Sequence, residues 1–558
     1  MVSFANVGRY WRTLRHLRPV QLYGRLWFRF TTPSPDTAPA PSLQTPRAGV
    51  WTRPARRAQS LHQPRQFFFL NEAGNLDEVG WDHPGREKLW RYTQHYFDDL
   101  NAMGAGDRGE WHHALIADWI ARNPPGQGSG WEPYPTSLRI VNWVKWALAG
   151  NDLPPEARHS LAIQARWLAR RLEWHLLGNH LFANAKALVF AGLFFEGGEA
   201  RGWLAKGLSI LARQIPEQVL DDGGQFELSP MYHALALEDV LDLVNLTRAF
   251  ADGLSAEQTR QVASWASLVG PMRRWLDGMC HPDGEIAFFN DAAIAIAPAP
   301  AEIDAYARAL GFPAEPEGGS LTRFSASGYM RLSRGGAVVI ADVARVGPDY
   351  LPGHAHADTL SFELSLAGRR LVVNSGTSLY GAGAERHRQR STAAHSTLVL
   401  DGSDSSEVWS GFRVARRARP FDIEVHEDGA ALELAASHDG YRHLSGHPVH
   451  RRRWALDETG LCIVDHVSGR GSHSAEILFH LAPGISAAPV GDGELLLTEE
   501  ATGAVLATVS SSGSGPMMAT PSTWHPEFGI SQPSTRLQVS LSGMLPLDHR
   551  TVFRWGPA

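Results

Sequence analysis

The 558-residue chain is poor in cysteine, with only Cys280 and Cys462. Their wide separation gives neither a disulfide framework nor a metal knuckle, and both are expected as buried small hydrophobes. Long apolar runs are also missing. None approaches the roughly 20 residues that span a bilayer. The opening MVSFANVGRYWRTLRHLRPVQLYGRLWFRF breaks every short apolar stretch with Arg or His, so it has no signal-peptide h-region. A cytoplasmic location is the default expectation, with periplasmic and membrane-peripheral locations left open. Residues 8–30 read as an ordinary docking helix or a basic amphipathic surface helix. There is no large charge excess either: 52 Lys and Arg against 58 Asp and Glu give a net charge of −6. That balance excludes a global attraction to nucleic acid and leaves any polyanionic partner to a local basic cleft. Arg413, Arg416, Arg417 and Arg419 form one such cluster, readable also as a solvated face.

What the chain does contain is a globular balance of 43% hydrophobic and 20% charged residues, on a length that calls for two large domains. Residues 1–84 read as an N-terminal helix followed by a Pro-rich extended connector. Between 85 and 315, apolar residues recur at i, i+3, i+4 and i+7 between short Gly/Pro breaks. RHSLAIQARWLARRLEWHLL and SAEQTRQVASWASLVGPMRRWLDGM are examples. Many such helices in succession predict a bundle or an α/α toroid. After PAEPEGGS the pattern becomes short β-rich runs punctuated by Gly, Asp, Asn and Ser, such as AVVIADVA, TLSFELSL and STLVLDG. With no helices between them, these predict an antiparallel β-sandwich over 325–558. The expected fold class is multidomain α + β, a toroid that stops short of a full barrel followed by a sandwich.

Five stretches carry polar and titratable residues. GWEPYPTSLRIVNWVKW holds Tyr134 and Arg139, whose planar fork suits a carboxylate, although a salt-bridged structural arginine reads equally well. GNHLFANAKALVFAGLFF sets Asn179 and His180 at the start of an apolar helix, where free N–H groups and the dipole favour an anion, or where Asn179 is simply the N-cap. DDGGQFELSPMYH brings Gln225, Tyr232 and His233 to a helix mouth whose Ser229-Pro230 pair is an ordinary N-cap and N1. A tyrosine there serves as general acid or base, and as a base it needs a nearby cation. PGHAHADTLSFELSLAGRRLVVNSG carries His354 and His356, which face one way if extended. RHRQRSTAAHSTLVLDG adds His395. His356 and His395 could share a metal ion with Asn374 as oxygen donor, or form a metal-free hydrogen-bonded network.

Together and in this order, GNHLFANAKALVFAGLFF, GGQFELSPMYH, GHAHADTLSFELSLAGRRLVVNSGT and RSTAAHSTLVLDG resemble the heparinase II/III-like polysaccharide lyases. The likeness covers about residues 85–480. It implies a toroid followed by a sandwich, and an anionic uronate polysaccharide as partner. It also implies that Asn179 or His180 neutralises the uronate carboxylate, that Tyr232 is the acid and base, and that His354 is catalytic. By the same resemblance His356 and His395 are metal ligands, the ion being one divalent metal, zinc first, with no organic cofactor. Asn374 departs from the family's metal-binding Asp, and an amide oxygen is a weaker, neutral donor.

β-Elimination removes the C5 proton of the uronate and expels O4, which requires the carboxylate charge to be neutralised. Tyr232 is then expected to protonate O4, with Tyr232 or His354 as base, and Arg139, Tyr134 and Gln225 binding substrate. Two other classes stay open: a glycoside hydrolase on a helical toroid, which needs two facing carboxylic acids, and a non-catalytic polysaccharide-binding or exopolysaccharide-assembly protein. The polymer, the endo or exo mode and the oligomeric state are not specified by the sequence.

Overall fold

The structure is a computed structural model that describes residues 4–314, 318–491, 493–512 and 515–556. Two helices open it, α1 (Phe4–Leu14) and α2 (Pro19–Phe30), and residues 32–60 then run with no helix. A small antiparallel sheet (Leu61–Gln63, Gln66–Phe69, Glu72–Asn75) and the single turn α3 (Leu76–Val79) lead into the helical region. This sheet is absent from the linear reading because its strands are three or four residues long.

The helical region comprises α4 (Lys88–Gln94), α5 (Gly109–Arg122), α6 (Pro133–Leu148), α7 (Pro155–Arg170), α8 (Gly178–Phe194), α9 (Gly197–Gln218), α10 (Pro230–Ala249), α11 (Ala256–Ala266), α12 (Val269–Gly278) and α13 (Pro300–Ala309). It forms no closed barrel. The single period read across SAEQTRQVASWASLVGPMRRWLDGM is two helices. Pro271 lacks the N–H that would bond to Ser267, and the chain breaks at Ser267-Leu268. α8 is apolar on all sides and buried along nearly its whole length, as expected of a central helix. Its one lysine, Lys186, pairs at 2.6 Å with Asp242 of α10, which also holds Lys145 of α6. Three helices are thereby fixed around one fully buried carboxylate, and a buried charge demands such partners.

Beyond Ala309 the chain turns to strands at Leu321. One antiparallel sheet of nine strands runs in the order Met517–Trp524, Gln532–Met544, Ser472–Leu481, Arg369–Val373, Phe362–Leu366, Ala337–Asp342, Tyr329–Arg334, Leu321–Phe324, with Leu398–Leu400 pairing beside Ser472–Leu481. A second sheet of eight strands contributes Leu432, Leu434, Trp454 and Ile463 to a core shared with Leu332, Val339, Phe362 and Ile477 of the first. The alternating burial of Gly460–Ser468 shows one face packed inward and one turned out. α14 (Ala384–Arg390) lies in the long connection after Arg369–Val373. Cys280 is buried as expected, whereas Cys462 is partly exposed on its strand with Arg550 Nε 3.1 Å from its sulfur.

Candidate active site

Ser229 caps α10: its hydroxyl accepts from the Tyr232 N–H at 3.2 Å, and Pro230 follows at the first helical position. The same hydroxyl donates to the main-chain carbonyl of Asp291, whose own N–H donates to the His354 carbonyl at 2.9 Å. Asp291 therefore stitches the helix that carries Tyr232 to the loop that carries His354. Next to it, Asn290 adopts a left-handed backbone (φ 57°), a conformation asparagine tolerates. Its amide nitrogen donates to Leu228 O and its oxygen accepts from the His356 N–H.

The Asp291 carboxylate is completely buried and surrounded by donors. His354 Nδ1 lies 2.9 Å from Oδ2 and His356 Nε2 lies 2.9 Å from Oδ1, while Arg386 of α14 binds both oxygens, with Nη2 at 2.7 Å. Burial alone would raise its pKa, but Arg386 and the two histidines hold it well below the usual carboxylate range. An ionised carboxylate only accepts, so His354 Nδ1 carries the hydrogen and Nε2 is left to take a proton. Nε2 stands 3.6 Å from Glu227 Oε2. The His354 ring lies against the Tyr232 ring, centroids 4.0 Å apart. Tyr232 Oη meets Tyr380 Oη at 2.9 Å, and Arg386 sits 5.1 Å from the Tyr380 ring. Burial, then the neighbouring phenol of Tyr380, pushes the Tyr232 pKa well above 10, so the resting side chain is a phenol that holds its proton.

The mouth of α8 borders this cluster. Leu177 and Gly178 both take left-handed backbone angles, and a Cβ on Gly178 would come within 2.2 Å of Leu351 in the loop before His354. Asn179 is not the N-cap, which is Leu177; it occupies the first turn, half-buried, with no side-chain hydrogen bond among the described residues. His180 packs its ring 4.6 Å from Tyr134 and holds Glu173 through Nδ1 at 3.2 Å. Burial opposes its charged form, but Glu173 outweighs this and the His180 pKa is raised. Gln225 is buried beneath, exchanging hydrogen bonds with Glu227.

Arg139 is not at the site. Its side chain has no exposure, lies 3.8 Å over the Trp119 ring, and bonds Gln164, His95 and Thr136 inside the helical core. The apolar spacing of α6 turns it inward, and it reaches no cleft. Asn374 Oδ1 accepts the Ser396 N–H at 3.1 Å, and its Nδ2 is buried without a hydrogen-bond partner among the described residues. The structure instead gathers His356, Asp358 and His395, with one ligand atom from each lying within 4.8 Å of the others. His356 Nδ1 and His395 Nε2 are 3.2 Å apart. That matches the edge of a tetrahedral zinc site, about 3.3 Å for bonds of about 2.05 Å, and equally a direct hydrogen bond. Burial lowers the two histidine pKa values to about 4 and about 3, so both rings are neutral, the form a metal requires. The His356 Nε2–H held by Asp291 is the outer partner that ligating histidines have. The residues fit a divalent ion.

Residues 102–313 match the model of the heparinase II/III N-terminus, and 316–555 that of the heparinase II/III-like C-terminal region. FtsZ-localized protein C of Caulobacter vibrioides is 30% identical over 462 residues, 76% of this chain and 74% of that one. The chain belongs to the heparinase II/III-like polysaccharide lyase family. A heparin-sulfate lyase of Bacteroides stercoris is 25% identical over 478 residues, 74% of this chain and 67% of that one. A solved heparinase III gene product, at 20% identity, superposes with a TM-score of 0.66 over 96% of this chain and 88% of its own. In this lyase-family chain the Tyr232 and His354 rings are in contact. Sequence reasoning missed Arg386 and Tyr380, and it missed the part played by Asp291. The segments that hold them, HPDGEIAFFND and NSGTSLYGAGAERHR, have no period or spacing relating one to the other.

Proposed function

We propose that this chain cleaves an anionic uronate polysaccharide by β-elimination, with His354 as base and Tyr232 as acid. The observation that carries the reading is the Asp291–His354 pair with the Tyr232 ring tilted against it, two proton-transfer groups delivered from the helical and the strand regions. Asp291 fixes the His354 tautomer and stabilises the imidazolium that forms when Nε2 takes the C5 proton, the role a buried aspartate has beside a catalytic histidine. Tyr232, whose proton is firmly held, donates it to the departing O4. Asn179, His180 and the N-terminus of α8 receive the uronate carboxylate; the raised pKa of His180 keeps positive charge available where the intermediate becomes most negative. Tyr134 and Gln225 position His180 and Glu227. A divalent ion, zinc first, would be held by His356, Asp358 and His395, where it would add positive charge behind Asp291.

A hydrolase finds little support here. Of the two acids beside His354, Asp291 is saturated by Arg386 and two histidines, so this pair does not supply the protonated and ionised carboxyls that hydrolysis needs. A non-catalytic binding protein is the second reading, supported by a relative named for its localisation rather than for a reaction. Incubation with a panel of uronate polymers, including heparan sulfate, separates the two. Lyase action gives an unsaturated, ultraviolet-absorbing uronate that disappears in Tyr232→Phe. Polymer binding without that product would establish the second reading.

A further inference from the structure

The first 30 residues contain Arg9, Arg12, Arg15, Arg18, Arg25 and Arg29 and no Asp or Glu, in a chain whose net charge is −6. Their two helices are mounted inside out. α1 turns its polar side to the protein: Arg9 and Arg12 pair with Glu407 at 3.0 and 2.9 Å, and Thr13 accepts from the Trp409 indole. Its opposite stripe, Val7, Tyr10, Trp11 and Leu14, repeats at i, i+3, i+4 and i+7; Tyr10 sits at its edge, half exposed with its ring edge-on to Trp409 at 5.3 Å, and Trp11 is 67% exposed. α2 docks through Gln21 on the Tyr350 carbonyl, Gly24 against His175, and Phe28 tilted against the His175 ring at 4.2 Å. Leu22, Tyr23, Leu26, Trp27 and Phe30 cover the other side, Trp27 70% and Phe30 77% exposed. An ordinary docked helix buries its apolar stripe; here nine large apolar or aromatic side chains stand on the outer face of two adjacent helices.

A cavity of about 420 Å³ opens where α1 ends. Arg15, Arg416, Arg417, Arg419 and Arg442 line it against a single acid, Asp439. Arg417 spends one nitrogen on Asp349, while its Nε is buried without a hydrogen-bond partner and its side chain is only 8% exposed. So dense a group of guanidinium groups calls for an anion with several acceptor oxygens, and a phosphate monoester or diester is the matching chemistry.

We propose that α1 and α2 form an interfacial element that lies on an anionic phospholipid bilayer, with the arginine cavity taking a phosphate headgroup. Tryptophan and tyrosine interleaved with arginine and leucine is the composition that settles at the boundary between headgroups and acyl chains. The arginines supply attraction to acidic lipid. No described helix is long and apolar enough to cross a membrane, so the element lies on the surface instead of spanning it. A second copy of the chain is a poor occupant, because two such faces would bring two arginine clusters together.

The test is vesicle flotation of the full chain with phosphatidylcholine alone and with phosphatidylcholine mixed with phosphatidylglycerol. The chain should float with the acidic vesicles and stay down with the neutral ones, and high salt should weaken the binding. Trp11→Glu/Trp27→Glu should lower binding by roughly tenfold or more with unchanged thermal unfolding, and Arg416→Ala/Arg419→Ala should weaken the preference for acidic lipid. Failure to float with either vesicle overturns the proposal. So does a soluble dimer, seen by light scattering, that the tryptophan substitutions dissociate, and so does flotation that the tryptophan variant retains in full.

Discussion

At the scale of single residues the site rests on one carboxylate. Asp291 lies two residues beyond the end of an unremarkable apolar run, and nothing in FFND marks it. Folding gives it two histidines, an arginine and two main-chain bonds. Replacing it by Asn leaves Arg386 buried without its counter-charge, and breaking a buried pair from one side costs about 3–5 kcal/mol. Asp291→Asn should therefore unfold at clearly lower temperature and lose the His354 tautomer together with activity; an unchanged melting temperature would count against Asp291 as the hub. Tyr232→Phe and His354→Ala keep their surroundings and should melt near the parent while losing roughly 10²- to 10⁴-fold in turnover of a uronate polymer. Turnover within a few fold of the parent in either variant would remove that residue from the mechanism.

At the scale of elements, three connections aim the side chains: the capped start of α10, the loop from Leu351 to Asp358, and the segment from α14 to His395. Ser229 serves both as cap and as the link to Asp291. Ser229→Ala should cost about 1 kcal/mol for the cap and lower activity by more than that loss of stability accounts for, as activity measured well below the melting temperature would show. Gly178→Ala meets both a left-handed angle and Leu351, so it should shift the loop that bears His354. Metal binding is decided at this scale as well. Zinc should raise the thermal midpoint of the parent and of Asn374→Ala, and leave His395→Ala where it is. A rise abolished in Asn374→Ala would return that residue to the ligand set.

At the scale of the whole molecule, the buried histidines make the fold sensitive to acid. In the unfolded chain His356 and His395 titrate near 6.5; in the fold their values fall to about 4 and about 3. Between 6.5 and 4 the unfolded state holds more protons, so stability falls as pH falls, by about 1.4 kcal/mol per pH unit for each histidine. Asp291, with its pKa depressed, continues the trend below about 3.8. His180 acts in the opposite sense above 6.5, but it is a third exposed and contributes less. Thermal unfolding followed from pH 7 to pH 4 should show a steady decline that His356→Gln/His395→Gln reduces. A flat profile would mean that the two rings are protonated in the fold.

The sequence by itself determined the class of the fold and most of the polar residues at the site. Helical spacing gives way to short strands between Ala309 and Leu321, and the Ser-Pro cap, the Asn-His pair and the His-x-His run are local patterns that a linear reading detects. For residues 8–30 it left an ordinary docking helix and a basic amphipathic surface helix side by side. Tertiary structure decided which of those residues meet. Arg139 is the clamp expected on paper and Arg386 goes unmarked there; packing buries the first among tryptophans and sets the second on Asp291. The direction in which the apolar stripes of α1 and α2 face was likewise fixed by Glu407 and His175, more than a hundred residues away. The physical reason is common to both cases. Periodicity reports what one element presents to its neighbours, while partners and burial depend on contacts between segments whose separation along the chain carries no signal.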